Sequence, residues 1–349
     1  RVNVNVENVI QSGLVKEKDR DLIVPYIDID LPKGGLYKNQ LIMLDILANN
    51  DWKRPLYFTG GSYDDSEYLW MKNYLQLEGL VYKLVPIKTP KNKNNPYLMG
   101  RLDADLMYEI VKKWEWGNSD SPEIYHDPET RKNSISYRSN MARLAEVLID
   151  EGKLEKAKEI IDLNLEKMPV DYFGYYSLLT PFIEGYYRIG ATEDARKLFE
   201  QIAEKYRDQL EYFESLSLNF QYDLGEEILT EIERYRSLIE VIIDNNDEEF
   251  MSSKIVAFQK HTAPFEFLYG SYDYFTSQED FVAGLYIGGD SIAGRSLIEN
   301  IAFVYEKRLS QLSSLDPEDQ TIYEEIIMDE VNGYRRLMLY VSLHETDAY

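Results

Sequence analysis

A repeated pattern of glycine and alanine in the middle of the chain, followed in its first unit by a proline, constrains the fold more than any other feature. Gly152 ends an apolar helical stretch and is followed by Ala157 and Pro169. A glycine allows a tight turn here, an alanine lets two helices approach closely, and a proline ends the second helix. The glycine and the alanine recur with the same spacing at Gly190 and Ala195. We therefore predict closely packed pairs of helices in this region.

The pattern resembles that of tetratricopeptide repeats, in which these residue types recur at a fixed period. A looser version begins at Gly289, and long helices are predicted around residues 224–243 and 321–343. The interval between the first two units exceeds the standard period of about 34 residues. We therefore predict an irregular, all-α, tetratricopeptide-like array over residues 136–349.

The first 90 residues follow a different pattern, in which short strand-like runs are separated by helical runs. The predicted elements are strands over residues 2–6, 26–31, 55–58 and 80–85, and helices over residues 40–48 and 67–78. Asn39 is placed to cap the first helix, and Asp65 or Ser66 the second. Strands that are joined through helices pair in parallel. The order therefore predicts a small, partly parallel sheet.

These patterns define the predicted fold class, an α+β chain in two parts. A small α/β module spans residues 1–90, a linker with a connecting helix spans residues 91–135, and the helical array follows. No stretch approaches the roughly 20 apolar residues that a membrane helix requires. Because the chain begins at Arg1 inside an alternating run, with no signal segment, we expect further residues upstream.

Charge and composition exclude several classes of function. The formal net charge is −24, and such a field repels nucleic acid. Cysteine is absent, which excludes disulfides, thiolate metal sites and a cysteine nucleophile. His126, His261 and His344 lie in separate segments without the spacing of metal ligands, and we interpret them as surface residues. We therefore expect no metal, no cofactor and no nucleic-acid partner.

Motifs of catalysis are also missing from the sequence. There is no Gly-x-Ser-x-Gly nucleophile elbow. The acidic run 244–249 lacks the central glycine and the distant glutamate of a calcium loop, and we interpret it as a turn between helices. With 62 acidic residues, no pair stands out as a glycosidase acid and nucleophile. We therefore expect this chain to contain no catalytic residues.

Two aromatic segments are the strongest candidates for a recognition surface. Their candidate binding residues are Tyr172, Tyr175, Tyr176, Tyr269, Tyr272 and Tyr274. Helical arrays commonly bind along a concave face, and tyrosine rings suit stacking on sugar faces or contact with an extended peptide. The same rings would also pack between irregular repeats, and this alternative stays open.

A glycine-rich loop is a third candidate. Gly60, Gly61 and Ser62 lie between a predicted strand and a predicted helix, where backbone N–H groups could receive an anion or a sugar hydroxyl. The loop lacks the dinucleotide spacing of three glycines and the lysine of a P-loop. Asp64 and Asp65 follow it and would repel phosphate. An ordinary turn is the alternative interpretation.

Four passages near the start of the chain carry a resemblance to a known family. They are residues 26–29, 44–50, 53–58 and 73–86, of which the last, Asn-Tyr-Leu-Gln-Leu-Glu-Gly-Leu-Val-Tyr-Lys-Leu-Val-Pro, is the most specific. Here the chain resembles the soluble C-terminal region of the domain-of-unknown-function 2723 family, bacterial multi-pass membrane proteins similar to GT-C protein O-mannosyltransferases. The helical remainder agrees more loosely.

The resemblance implies a location and a role. The parent protein would use a lipid-linked sugar donor on the extracytoplasmic side of the membrane. This chain would then be a periplasmic, membrane-anchored accessory domain that presents a protein or glycan partner to the membrane domain. The family's catalytic acids belong to early extracytoplasmic loops, so none transfers to a residue of this sequence. The main alternative is a free-standing tetratricopeptide-type surface protein that binds a glycan or a peptide, and an independent hydrolase ranks third.

Overall fold

The computed structural model of the protein describes residues 1–60, 64–89 and 99–344. The chain divides into two compact units, Arg1–Pro181 and Phe182–Tyr349. The first unit begins with a small α/β part that contains two sheets, and a helical region follows. This confirms the predicted fold class, an α+β chain in two parts.

The strands of the described residues are short and lie near the start of the chain. They are β1 (Val2–Asn3), β2 (Tyr26–Ile27), β3 (Tyr57–Thr59), β4 (Leu75–Glu78), β5 (Val81–Leu84) and β6 (Arg101–Leu102). Strands β1 and β2 form an antiparallel pair, and the second sheet has the order β3-β5-β4-β6. Strands β4 and β6 are parallel, whereas β5 is antiparallel to both of its neighbours. A small, partly parallel sheet is therefore confirmed, but its parallel pair is not the predicted one. Strands β3 and β5, which were predicted to be joined through a helix and hence parallel, are antiparallel, and neither β4 nor β6 was predicted as a strand.

Helices make up most of the remaining structure. In the first unit they are α1 (Val6–Gln11), α2 (Lys38–Asn50), α3 (Ala104–Val111), α4 (Pro128–Asp150), α5 (Leu154–Lys167) and α6 (Val170–Phe173). The second unit contains most of α7 (Thr180–Arg188), then α8 (Thr192–Glu214), α9 (Leu218–Asp223), α10 (Gly225–Asp244), α11 (Glu248–Thr262), α12 (Glu266–Tyr269), α13 (Ser271–Thr276), α14 (Glu279–Ile287), α15 (Ser291–Ser313), α16 (Pro317–Ile322) and α17 (Glu324–His344).

The helix predicted over residues 67–78 is wrong. Short 3-10 helices at Asp65–Tyr68 and Lys72–Tyr74 are followed by strand β4. Gly79, with φ of +67°, then turns the chain back into β5. Leu75 and Leu77 satisfy the alternation of a strand as well as a helical face, and pairing with β5 selects the strand because cross-strand packing overrides local propensity.

Helix α2 extends two residues beyond its predicted range at each end. It begins after Tyr37 rather than at the predicted cap Asn39, and the Tyr37 backbone N–H donates to the Gln40 side chain over 3.0 Å. The apolar residues Leu41, Leu44, Ile46 and Leu47 predict one inward face for this helix. Leu47 is buried, but Leu41 and Ile46 are 52% and 50% exposed, so this prediction is only partly correct.

Tight turns join consecutive helices where the sequence predicts them. Gly152, Gly190 and Gly289 have φ of +72°, +78° and +84°, a left-handed conformation that favours glycine. Ala157 and Ala195, on the helices that follow the first two turns, are fully buried. The turn glycines and buried alanines are thus confirmed, while the tetratricopeptide assignment itself stays a prediction.

A buried ion pair joins three elements of the second unit, at the acidic turn between α10 and α11. Arg196 of α8 donates two hydrogen bonds to the Asp247 carboxylate over 2.6 and 2.9 Å. The Tyr187 hydroxyl of α7 donates to the same group over 2.7 Å. Burial of Asp247 opposes its ionisation, but the hydrogen bonds from Arg196 and Tyr187 outweigh burial and lower the pKa of Asp247.

Candidate functional site

A half-open cavity of about 270 Å³ lies in the first unit. It is formed by the segment between α3 and α4, the first turns of α4, and the chain that follows α5. Its lining includes Trp116, Ile124, Tyr125, His126, Thr130, Asn133, Tyr137, Met168 and Phe173. We call this site the aromatic cavity.

The N-terminus of α4 is fixed by local sequence. Asp127 precedes Pro128, a favoured residue at the first helical position. The Asp127 carboxylate accepts hydrogen bonds from the backbone N–H groups of Glu129 and Thr130, over 2.8 and 3.1 Å, and from the Thr130 hydroxyl over 2.8 Å. These hydrogen bonds, led by the one from the Thr130 side chain, lower the pKa of Asp127. The cap fixes the residue at which α4 begins. Asn133 and Tyr137, on the first turns of this helix, line the cavity.

Three aromatic rings pack together at one side of the cavity. The centre of the Trp114 ring lies 5.6 Å from that of Trp116 and 5.0 Å from that of Tyr137, in both cases edge to face. Trp116 and Tyr137 are 5.6 Å apart. Edge-to-face geometry is favourable for aromatic pairs, so this wall is already packed before any ligand binds.

His126 forms part of another wall and has unused hydrogen-bonding capacity. Its ring lies 4.7 Å from Phe173 and is stacked at 6.2 Å on Tyr172. Both ring nitrogens are buried and have no hydrogen-bond partner among the residues that the structure describes. A buried polar group without a partner is costly. The interpretation of His126 as an ordinary surface histidine is therefore wrong.

A buried arginine holds the chain that follows α5. Arg138 is fully buried, and its guanidinium donates to the backbone carbonyls of Met168, over 2.9 Å, and Gly174. Its guanidinium carbon lies 5.9 Å from the centre of the Phe173 ring. Burial lowers the pKa of Arg138 to about 10, so the side chain still carries its charge at neutral pH. These contacts position Met168 and Phe173 in the cavity wall.

The segment between α3 and α4 is attached to the end of α5. The Ser119 hydroxyl donates to the backbone carbonyl of Lys167 over 2.6 Å. The Lys167 ammonium pairs with the Asp120 carboxylate at 3.1 Å. The turn itself uses Gly117 and Asn118, with φ of +58° and +61°, and both residue types tolerate this conformation. These contacts fix the segment between α3 and α4, which forms one wall of the cavity, to the end of α5.

The size and lining of the aromatic cavity limit what it can hold. Its volume lies just below the roughly 300 to 1,000 Å³ of typical small-molecule sites. Aromatic walls with a few polar groups suit a single ring or one large side chain of a partner. His126, Thr130 and Asn133 supply the hydrogen-bonding groups at the lining.

The first predicted aromatic segment, which contains Tyr172, Tyr175 and Tyr176, lies partly at this cavity. Tyr172 contacts His126, and its neighbour Phe173 lines the cavity. Tyr175 has φ of +48° and is 39% exposed, while Tyr176 begins a 3-10 helix. Trp116, Tyr137 and His126 were not predicted as site residues. Their clearest signal is Trp114-x-Trp116 in an otherwise polar segment.

In the second predicted aromatic segment, Tyr274 is buried and Tyr269 is half-buried in the second unit. Tyr274 is 5% exposed, and its hydroxyl lies 3.1 Å from that of Thr262. The Tyr269 hydroxyl donates to Glu233 over 2.6 Å, and burial together with this hydrogen bond raises the pKa of Tyr269. The two rings pack edge to face at 6.0 Å. Their contacts are those of core residues, and the side chain of Tyr272 lies outside the described structure. Ligand binding at this segment stays a prediction.

The glycine-rich loop can be followed only at its start. Gly60 is exposed and comes directly after β3, whereas Gly61 and Ser62 lie outside the described residues. The helix that was predicted to follow the loop is instead the 3-10 helix Asp65–Tyr68. The predicted helix dipole is therefore missing from this site, and binding at the loop stays a prediction.

The described residues form neither a cluster of metal ligands nor a membrane-spanning helix. Within residues 1–60, 64–89 and 99–344, no three His, Asp or Glu side chains are grouped so that they could hold a metal ion. None of the helices over these residues combines the length and the apolar character needed to cross a bilayer.

Comparison with known families places the first part of the chain beside domains that accompany a membrane protein. The family model described as TMEM260-associated domain 2 matches residues 1–106. This part of the chain is thus similar to a TMEM260-like family. The curated proteins and the solved structures gave no match.

Proposed function

We propose that this chain is a non-catalytic accessory domain that recognises a protein partner of a TMEM260-like membrane protein. The observation that carries the proposal is the aromatic cavity, with the partnerless, buried ring nitrogens of His126 at its wall. Interface anchors are typically aromatic or large apolar side chains that fill such a cavity, with a few polar contacts for orientation.

The link to a membrane protein rests on sequence similarity. Residues 1–106 match TMEM260-associated domain 2, and residues 73–86 carry the finer resemblance to the domain-of-unknown-function 2723 family. Under this proposal the chain lies on the extracytoplasmic side, as part of a membrane-anchored protein. Its task is to present a partner or an acceptor protein to a glycosyltransferase-like membrane domain, while the chemistry takes place in that domain.

Site-specific cross-linking tests the proposed role of the cavity. Tyr125 lines the cavity and is 82% exposed, so we would replace it with the photo-reactive residue p-benzoylphenylalanine in the full-length protein in its own cells. Tyr37 is 75% exposed, also in the first unit, and provides the control position. We expect a discrete cross-linked protein from position 125 and none of that mass from position 37.

A second substitution makes the result specific to the cavity. Trp116→Ala removes part of the aromatic wall and should abolish the product from position 125. Tyr212→Ala, at an exposed position in the second unit, should leave it unchanged. The same product from both positions, no product from position 125, or a product that persists in Trp116→Ala would each contradict the proposal.

A further inference from the structure

A second and larger cavity lies in the part of the first unit that contains β2 and the two 3-10 helices near residue 70. It has a volume of about 550 Å³, which is within the range of small-molecule sites. Three aromatic residues, Tyr26, Trp70 and Tyr74, line it together with polar residues. We call it the Trp70 cavity.

The backbone around Trp70 is held in an unusual conformation. Leu69 and Trp70 have φ of +51° and +59°, which costs energy for residues other than glycine. The Trp70 backbone N–H donates to the carbonyl of Asp65 over 2.8 Å. The Trp70 side chain remains partly exposed beside the buried Tyr74. Trp70 thus packs against the hydrophobic core on one side and leaves part of its ring surface exposed at the cavity.

The charges around this cavity disfavour an anionic ligand. Asp28, Asp30 and Asp65 line it and would repel an anion. The Arg1 guanidinium lies 3.9 Å over the Tyr26 ring and donates to Asp28 over 2.8 Å, and the ammonium of Lys88 is also in the lining. A cationic ligand would therefore find the Tyr26 ring already covered by a cation.

The remaining chemistry matches a neutral ligand rich in hydroxyl groups. The Asp30 and Asp65 carboxylates accept hydrogen bonds, the Lys88 ammonium donates them, and the Asn73 amide does both. Each hydroxyl of a sugar is both donor and acceptor, and the apolar face of a sugar ring packs on an aromatic ring. We propose that the Trp70 cavity binds a neutral saccharide. This site lies apart from the aromatic cavity and adds a ligand class to the proposed function.

Saturation-transfer NMR on the full chain tests this site. The probes are the methyl glycosides of glucose, mannose and galactose, with choline as the cationic comparison. We expect saturation transfer to at least one glycoside and none to choline. Trp70→Ala and Asp30→Ala should each weaken the binding at least about tenfold, because each removes a contact with the ligand. Trp116→Ala, in the aromatic cavity, should leave it unchanged.

Asp30 is exposed, so Asp30→Ala keeps the test decisive even if Trp70→Ala disturbs folding. No transfer to any of the three glycosides, transfer that is unaffected by Asp30→Ala, or transfer to choline instead would each overturn the saccharide proposal. A loss of binding in Trp116→Ala would overturn the assignment to this cavity. Cross-linking from position 125 tests only the aromatic cavity, and saturation-transfer NMR tests only the Trp70 cavity. Failure of the partner proposal can therefore be distinguished from failure of the saccharide proposal.

Discussion

At the scale of single residues, two arginines with different partners stabilise the two units. Arg138 donates to backbone carbonyls and thereby positions the wall of the aromatic cavity. Arg196 forms a two-pronged pair with the carboxylate of Asp247, whose side chain is 4% exposed. Removal of one partner of such a pair leaves an uncompensated buried charge. Substitution of Arg196 is therefore expected to lower the free energy of unfolding.

Arg196→Met should lower the free energy of unfolding by about 3 to 5 kcal/mol, as expected for a broken buried ion pair. The measurement is urea denaturation of the full chain at neutral pH. Arg207→Met is the matched control, because Arg207 pairs with exposed carboxylates on the same helix and should cost at most about 1 kcal/mol. Equal losses in the two variants would contradict the importance of the Asp247 pair.

The pH dependence of the Asp247 pair follows from the direction of its pKa shift. The folded-state pKa of Asp247 is lowered, so its stabilisation is present above the unfolded value of about 3.9. This contribution is lost as the pH falls through the lower, folded-state pKa. The stability difference between the protein and Arg196→Met should therefore shrink in acid denaturation series below about pH 4. A difference that stays constant down to pH 2 would argue against this assignment.

At the scale of elements, one glycine determines how closely β6 approaches β4. Gly100 has φ of +65°, and a Cβ atom added to it would lie 2.3 Å from the backbone oxygen of Leu75. Gly100→Ala should therefore combine the left-handed penalty of about 1 to 2 kcal/mol with a backbone clash. We expect a clear loss of thermal stability, measured by calorimetry.

Gly152 provides the matched control for this substitution. Its φ is +72°, but a Cβ atom added to it would meet no other atom within 4 Å. Gly152→Ala should therefore show only the left-handed penalty of about 1 to 2 kcal/mol. If Gly152→Ala were as destabilising as Gly100→Ala, the close contact with Leu75 would not explain the effect.

The sequence predicted elements well where their periodicity was unambiguous. The turn at Gly152 and the long helices α10 and α17 were found because apolar positions recur with helical spacing. Strand β4 was missed because Leu75 and Leu77 also fit a helix, and its partner β5 was needed to decide. The aromatic cavity was missed for a similar reason. Trp116, Tyr137 and Phe173 are distant in the sequence. Arg138, the neighbour of Tyr137, holds the chain around Phe173 through the backbone carbonyls of Met168 and Gly174, which no side-chain pattern reveals.

At the scale of the whole molecule, one of the two cavities lies within the family match and the other lies beyond it. The match to TMEM260-associated domain 2 ends at residue 106, and the Trp70 cavity lies within that range. The aromatic cavity begins at Glu115 and lies beyond it. The net charge of −24 favours partners that are neutral or basic where they contact this surface. We infer that the two cavities serve different ligands.

We propose that this chain functions as part of a membrane-anchored protein. Fractionation of the source cells, followed by a blot with an antibody to this chain, tests this proposal most directly. We predict a band much larger than the 40.9 kDa of this chain, which stays in the membrane after salt and alkaline washing. A soluble or merely lipid-anchored band near 40.9 kDa would contradict the claim and favour a free-standing glycan- or peptide-binding protein.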